Sequence, residues 1–348
     1  MTGILTRRSL LTSAGALQVL AACAGNPSRG KNRHVIGMSA VTIGVADINR
    51  ALALFGETMG LTVESRGKVS SARRKLWGLP SGTSAEMVEL SCAGYPIGRV
   101  RVLHLTPPPT TFVRTDFGPE AEDSPYAVGP KALAFYAKGE VIAAADDFRK
   151  YGLQPRYNSP ALYPGGNYEF TFTGVGNAPT IAVSRPKNPT PNIRPDLPTD
   201  RYSEVTRVSV ISDDLRRTRE FYGDVLGFGT RYDEPVTAGF ARATRTIFGI
   251  PTGFDMHRVM YAADNEASGR ILVLQVSDQP KQKLRHVMGP QHRGLCIYTY
   301  AITGMDNLHQ RVMTAGFEVI APPTSVDGAR MMIVRGPNGE FCEMVEKV

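Results

Sequence analysis

The chain repeats itself, and the repeat limits the folds open to it more than any other feature. Ser39–Val45 is followed by Asp47-Ile48 and an amphipathic segment ending Met59-Gly60-Leu61. Thr206–Ser212 is followed by Asp213-Asp214-Leu215 and a segment ending Val225-Leu226-Gly227-Phe228. Each block reads as an alternating strand, an acidic N-cap and a helix closed by glycine. The two blocks align without a gap, Val45 with Ser212 and Gly60 with Gly227. Leu76–Gly82 then matches Ile247–Gly253, and Arg101–Leu105 matches Leu272–Val276, both at one slightly longer offset. A small net insertion after the helix reconciles the two offsets. Separate blocks at one constant offset mark a duplicated supersecondary unit.

A second, weaker pair follows the same logic. Lys131–Tyr136 parallels Arg293–Tyr298, and the segment from Asp147 to Leu153 parallels that from Leu308 to Phe317. In both, a strand leads into a helix closed by glycine. Four units result: Arg33–Thr106, Tyr126–Pro186, Tyr202–Asp278 and Pro290–Val348. The last unit ends in strands Met331–Arg335 and Phe341–Glu346 around the turn Gly336-Pro337-Asn338-Gly339. Pro186–Pro198 carries five prolines, so residues 187–200 read as an extended linker. Two domains are expected, residues 33–186 and 201–348, each built from two consecutive units.

The N-terminus reads as a processing segment. Thr6-Arg7-Arg8-Ser9 opens it, an apolar stretch runs from Ala14 to Ala22, and Leu20-Ala21-Ala22-Cys23 closes it. A positive start, a short apolar run and small residues before a cut site define an export signal over residues 1–22. The apolar run is too short to span a bilayer, which takes about 20 residues. The paired arginines resemble the twin-arginine signal of proteins exported folded, and the closing residues resemble a lipoprotein box acylated at Cys23. The resemblance implies a periplasmic body lipid-anchored to a bacterial membrane, with residues 23–32 as tether. The formal charge of +8 is scattered, without zinc-finger spacing or aromatic-basic interleaving, which argues against nucleic acid as a partner. Beyond Cys23 only Cys92, Cys296 and Cys342 remain. Buried free thiols are expected, with a Cys296–Cys342 bridge as the alternative.

Val208–Ser212, Asp214-Leu215, Phe221-Tyr222 and Leu226-Gly227-Phe228, with Gly336–Gly339 and Phe341–Glu346, resemble the vicinal oxygen chelate superfamily of glyoxalases, bleomycin-resistance proteins and extradiol dioxygenases. The resemblance implies an α+β fold of four βαβββ modules forming two cupped mixed-sheet halves. It also implies a divalent metal, iron, manganese, nickel or zinc, held by residues on first and last strands. The corresponding positions fall on Arg207, on or beside Cys296, and on Glu343; in the first and second units they fall near Ala40 and Ala134. Arginine cannot ligate a metal. Glu343 alone of the ligand set is present, so no cofactor is assigned.

Glu343 carries two readings: a general base or metal ligand, or a carboxylate paired with a cation such as Arg207. Arg207 would clamp an oxyanion or carboxylate. His257, on the strand expected over Phe254–Tyr261, and Tyr298 would move or donate the proton. Both residue types are also ordinary strand residues. Ala238–Thr246 reads as a short helix over the pocket, and Trp77–Gly82 and Phe248–Gly253 read as rigid rims. The expected function is a lipid-anchored glyoxalase- or dioxygenase-like protein acting on a small oxygenated or aromatic molecule by acid–base lyase or isomerase chemistry. A non-catalytic lipoprotein that sequesters a small ligand is the alternative.

Overall fold

Each unit places its first strand beside its last, and that strand order builds the molecule. The structure, a computed structural model, describes residues 34–347 except 118–120, 138–140, 157–160, 165–167, 175–179, 186–201, 264–265 and 278–281. The export signal, Cys23, the tether and the linker lie outside the described residues. Unit one supplies β1 (Val35–Val45), β2 (Thr62–Lys68), β3 (Ser84–Ser91) and β4 (Arg99–Thr106). Unit two supplies β5 (Gly129–Tyr136), β6 (Leu153–Pro155), β7 (Ala161–Leu162), β8 (Tyr168–Gly174) and β9 (Thr180–Arg185). Unit three supplies β10 (Arg207–Ser212), β11 (Gly229–Pro235), β12 (Met256–Ala262) and β13 (Arg270–Val276). Unit four supplies β14 (Gly294–Ile302), β15 (Val319–Val326), β16 (Ala329–Arg335) and β17 (Phe341–Lys347). The α+β expectation holds: two mixed sheets with helices between their strands.

The units pair across the sequence. Sheet I runs β15-β16-β17-β14-β1-β4-β3-β2, joining unit four to unit one. Sheet II runs β11-β12-β13-β10-β5-β9-β8-β6, joining unit three to unit two. Within units the first strand lies parallel to the last, as β1 to β4 and β10 to β13. Between units the first strands meet antiparallel, β1 with β14 and β5 with β10. The expected pairing of consecutive units within each half is therefore replaced by pairing of outer with outer and inner with inner. The physical reason is that every unit offers the same open edge on its first strand. Spacing alone does not choose its partner.

The helices follow their caps. Asp47 accepts from the backbone N–H groups of Asn49 and Arg50 at the start of α1 (Ile48–Leu52). Asp214 caps α4 (Leu215–Arg219) through Arg217 N–H. Both helices continue as π-helical turns and close at Gly60 and Gly227, with φ of 78° and 83°. A large apolar core lies against this helical side of both sheets and includes Val41, Val102, Phe135, Phe148, Val208 and Val273. The remaining helices are α2 (Ser71–Leu76), α3 (Val141–Arg149), α5 (Ala238–Phe248) and α6 (Met305–Thr314). None of the described helices is long and apolar enough to cross a membrane.

The opposite, cup face of each sheet is crossed by one helix. From unit one α2 reaches β15, and from unit three α5 reaches β7 and β8. Buried Ala241, Thr244, Ile247 and Phe248 of α5 share a helical face and sit on a smaller core with Ile211, Met260, Leu272 and Leu274. Gly249, with φ of 69°, ends the helix in the left-handed conformation.

The sheets touch at two glycines. A Cβ on Gly98 (φ 71°) would lie 2.4 Å from the Val205 carbonyl oxygen, and one on Gly269 (φ 65°) would lie 2.9 Å from that of Met38. Gly98 N–H donates to Met38 O and Gly269 N–H to Val205 O, each at 3.0 Å. The two glycines are spaced as the later repeat blocks are, and their acceptors Met38 and Val205 as the first blocks are. The repeat in the sequence is therefore also a repeat in space.

Candidate functional site

Sheet I buries a charged lattice in its cup. Glu343 on β17 lies opposite Thr299 on β14, and its side chain is wholly buried. Arg73 from α2 reaches both carboxylate oxygens at 3.0 Å. Arg101 from β4 donates to Oε2 at 2.9 Å, as does Thr299 Oγ1 at 3.0 Å. Trp77 Nε1–H donates to Oε1 at 2.9 Å. Burial alone would raise the Glu343 pKa, but the Arg73 and Arg101 guanidiniums outweigh it and hold the carboxyl at about 2. Glu89 on β3 pairs with Arg101 at 2.5 Å and Arg99 at 2.6 Å. Both oxygens of the central carboxylate in cup I are thus engaged internally, while Thr42 Oγ1, beside Arg101 in register, is buried without a partner among the described residues.

Sheet II is built differently at the same level. Across its cup face run Thr171 on β8, Ala182 on β9, Ala134 on β5, Arg207 on β10 and Arg270 on β13, each register-paired with the next. Arg207 Nη2 donates to both Glu169 oxygens at 2.9 Å. The Glu169 carboxylate and neighbouring tyrosines keep the Arg207 guanidinium charged against the opposing effect of burial. Arg270 donates to Tyr136 Oη at 3.0 Å. Burial, with the Glu169 charge, pushes the Tyr163 phenol well up. Burial also raises Tyr232, so both present neutral hydroxyls at pH 7. Arg258 lies over the rings of Tyr232 and Phe240 and pairs with half-exposed Glu234 at 2.6 Å, at the solvent-facing end of the cup. Among the described residues, Arg207 Nε and Thr171 Oγ1 are buried without a hydrogen-bond partner.

The four residues expected to form one site are not brought together. Arg207 and Glu343 stand on different sheets, each with another partner: Glu169 for Arg207, and Arg73 with Arg101 for Glu343. His257, a quarter exposed on β12, meets Asp233 at 2.6 Å beside Arg219. The next residue along the strand, Arg258, points to the cup, and alternation turns His257 to the other face. Tyr298 is fully buried in the main core, opposite Cys342 in register, while the adjacent Thr299 faces Glu343. Two causes act: unit four completes unit one, which separates Glu343 from Arg207, and strand alternation turns His257 and Tyr298 away from the cups.

The donor sets do not fit a metal. Among the described residues, no group of three or more His, Cys, Asp or Glu side chains could hold an ion. At Glu343 both oxygens are engaged by guanidiniums, and a dication there would face two fixed positive charges. Cys296 and Cys342 are buried free thiols, as expected; burial raises the Cys296 thiol to about 12. Sequence reasoning missed Arg73, Glu89, Glu169 and Arg270. One signal was present, because Arg99 and Arg270 are repeat equivalents, spaced as Arg101 and Leu272 are. Elsewhere, Pro130, Asp213, Lys283, His286, Arg335 and Gly339 line an open cleft of about 520 Å³ beside the β16–β17 turn.

Residues 204–344 match the sequence profile of the Glyoxalase/Bleomycin resistance protein/Dioxygenase superfamily. Among solved structures, a glyoxalase I variant from Zea mays aligns with a TM-score of 0.56 at 12% identity, covering 89% of this chain and 92% of that one. A putative dioxygenase from Bacillus subtilis subsp. subtilis str. 168 aligns with a TM-score of 0.54 at 11% identity, covering 91% of this chain and 86% of that one. At such identities the likeness is one of fold. No curated protein matches the sequence.

Proposed function

We propose, from the match of residues 204–344 to the glyoxalase/bleomycin resistance/dioxygenase superfamily, that this protein takes a small oxygenated or aromatic molecule into the cup of sheet II and acts on it by proton transfer without a chelated metal. One observation carries the reading. Arg207 Nε and Thr171 Oγ1 are buried and unpartnered among the described residues, over the Ala134–Ala182 floor, whereas cup I engages both oxygens of its central carboxylate internally. A buried polar atom without a partner is costly, and a ligand oxygen would remove that cost. Ala134 and Ala182 are themselves buried, so entry requires the side chains over them to move aside. An anionic ligand competes with Glu169 for Arg207. Released from its ion pair, Glu169 becomes the proton acceptor, and neutral Tyr163 supplies a hydroxyl to the developing oxyanion. Glu343 does not suit that role, because a carboxyl held at about 2 is a weak base at neutral pH.

Solvent deuterium exchange tests the chemistry. Enolisable hydroxy and keto acids incubated with the protein in D2O should exchange their activated C–H proton, and Glu169→Gln should abolish exchange while retaining binding. Binding with no exchange in either form would leave the sequestering function. That second reading draws support from the engagement of both Glu169 oxygens by Arg207.

We also propose that residues 1–22 are removed on export and that Cys23 is acylated, placing the body in the periplasm on a membrane. Cys23→Ser should release the protein from the membrane fraction and eliminate labelling by a palmitate analogue. Unchanged fractionation would refute the anchor.

A further inference from the structure

Among the described residues Arg270 is a buried cation left without a carboxylate, and the duplicated fold shows what is missing. Its repeat counterpart Arg99 pairs with Glu89 at 2.6 Å. At the same repeat spacing, the counterpart of Glu89 is Met260, and that of Arg101 is Leu272. The registers agree, since Glu89 pairs with Arg101 as Met260 does with Leu272. Sheet II therefore keeps the arginine and lacks its acid. Where unit one has Ala40 beside Arg99, unit three has Arg207 beside Arg270. Two guanidiniums thus face the same cup on adjacent strands, a placement that costs free energy unless an anion lies between them. Both Glu169 oxygens accept from Arg207, through Nη2. The hydrogen bonds of Arg270 run to neutral acceptors, the Thr206 carbonyl and Tyr136 hydroxyl. Tyr136 accepts from Arg270, Tyr163 lies near Arg207, and Tyr232 lies near both guanidiniums.

Resting on the assignment of cup II as the binding site, we infer that its ligand is a small aromatic carboxylate. The carboxylate lies between Arg207 Nε and Arg270, and the ring lies among Tyr136, Tyr163 and Tyr232. Arginine recognises a carboxylate in plane with paired N–H donors. The tyrosine hydroxyls select polar ring substituents.

The test is calorimetric titration of the full chain with benzoate and 4-hydroxybenzoate against their neutral isosteres, benzamide and 4-hydroxybenzamide. The acids should bind at least about tenfold tighter than the amides, the difference expected for a charge-assisted pair over a neutral one. Arg270→Met should erase the preference, and Arg270→Lys should keep part of it. Trp77, the single tryptophan, lies in cup I, so its fluorescence should not respond. Equal binding of acids and amides overturns the carboxylate while leaving cup II as a binding site. Retention of the preference in Arg270→Met, or quenching of Trp77, places the ligand elsewhere and overturns the inference. Absence of binding by either class overturns both. The comparison of isosteres uses the unmodified protein and stands even if a variant does not fold.

Discussion

Glu343 occupies the strand position where the superfamily resemblance implies a metal ligand, yet its neighbours are two arginines, an indole N–H and a hydroxyl. Glu343→Gln would leave Arg73 and Arg101 facing a neutral amide in a buried site. Loss of one partner from such a lattice costs about 3–5 kcal/mol, and urea denaturation should read a loss of that order. The pH dependence has a definite sign. The folded pKa of about 2 lies below the ordinary 4.5, so the stabilisation is complete above about pH 4.5 and is lost as pH falls toward 2. The urea midpoint of the unaltered protein should fall through that window, and Glu343→Gln should flatten that part of the profile; parallel profiles would refute the linkage. A chelator should leave the thermal midpoint unchanged, and stoichiometric metal removed with loss of stability would contradict the arginine lattice. The carboxylate was legible from the closing Gly-Pro-Asn-Gly motif and its following strand. Its partners were not, because Arg73 and Arg101 are 270 and 242 residues away in sequence.

At the scale of elements, the strands, acidic caps and closing glycines were legible because each rests on local chemistry. Asp47 and Asp214 stand where the pattern puts them, and the helix expected over Ala238–Thr246 runs on to Phe248. The choice of strand partners was not, since β1 and β5 present equivalent edges to β10 and β14. The inter-sheet contact is a place where the repeat could have been read further. Gly98 and Gly269 share the spacing of the later repeat blocks, and both approach the other sheet's backbone. Gly98→Ala and Gly269→Ala should each lose about 1–3 kcal/mol, the scale of a residue forced into a left-handed conformation. A Cβ on Gly82 would meet nothing within 4 Å, so Gly82→Ala serves as control. Equal midpoints for all three would refute a contact held by glycine.

At the scale of the whole molecule, sheets I and II each draw one unit from either side of the linker at 187–200. The two halves of the sequence should therefore not behave as separable domains. Residues 33–186 and 201–348 expressed apart should be insoluble or unfolded, and co-expressed they should purify as one complex. Two independently folded halves with sharp thermal transitions would refute the crossed pairing. Crossed pairing also imposes an order in time. Sheet II has all its strands once synthesis passes Val276, but β1 must wait for β14, whose pairing with it bridges Val35 and Ile302, and the sheet is complete only with β17. The first unit made is thus among the last to be finished. A nascent chain would carry the unsatisfied edge of β1 through nearly the whole of translation, exposed to any strand that reached it before the proper one emerged.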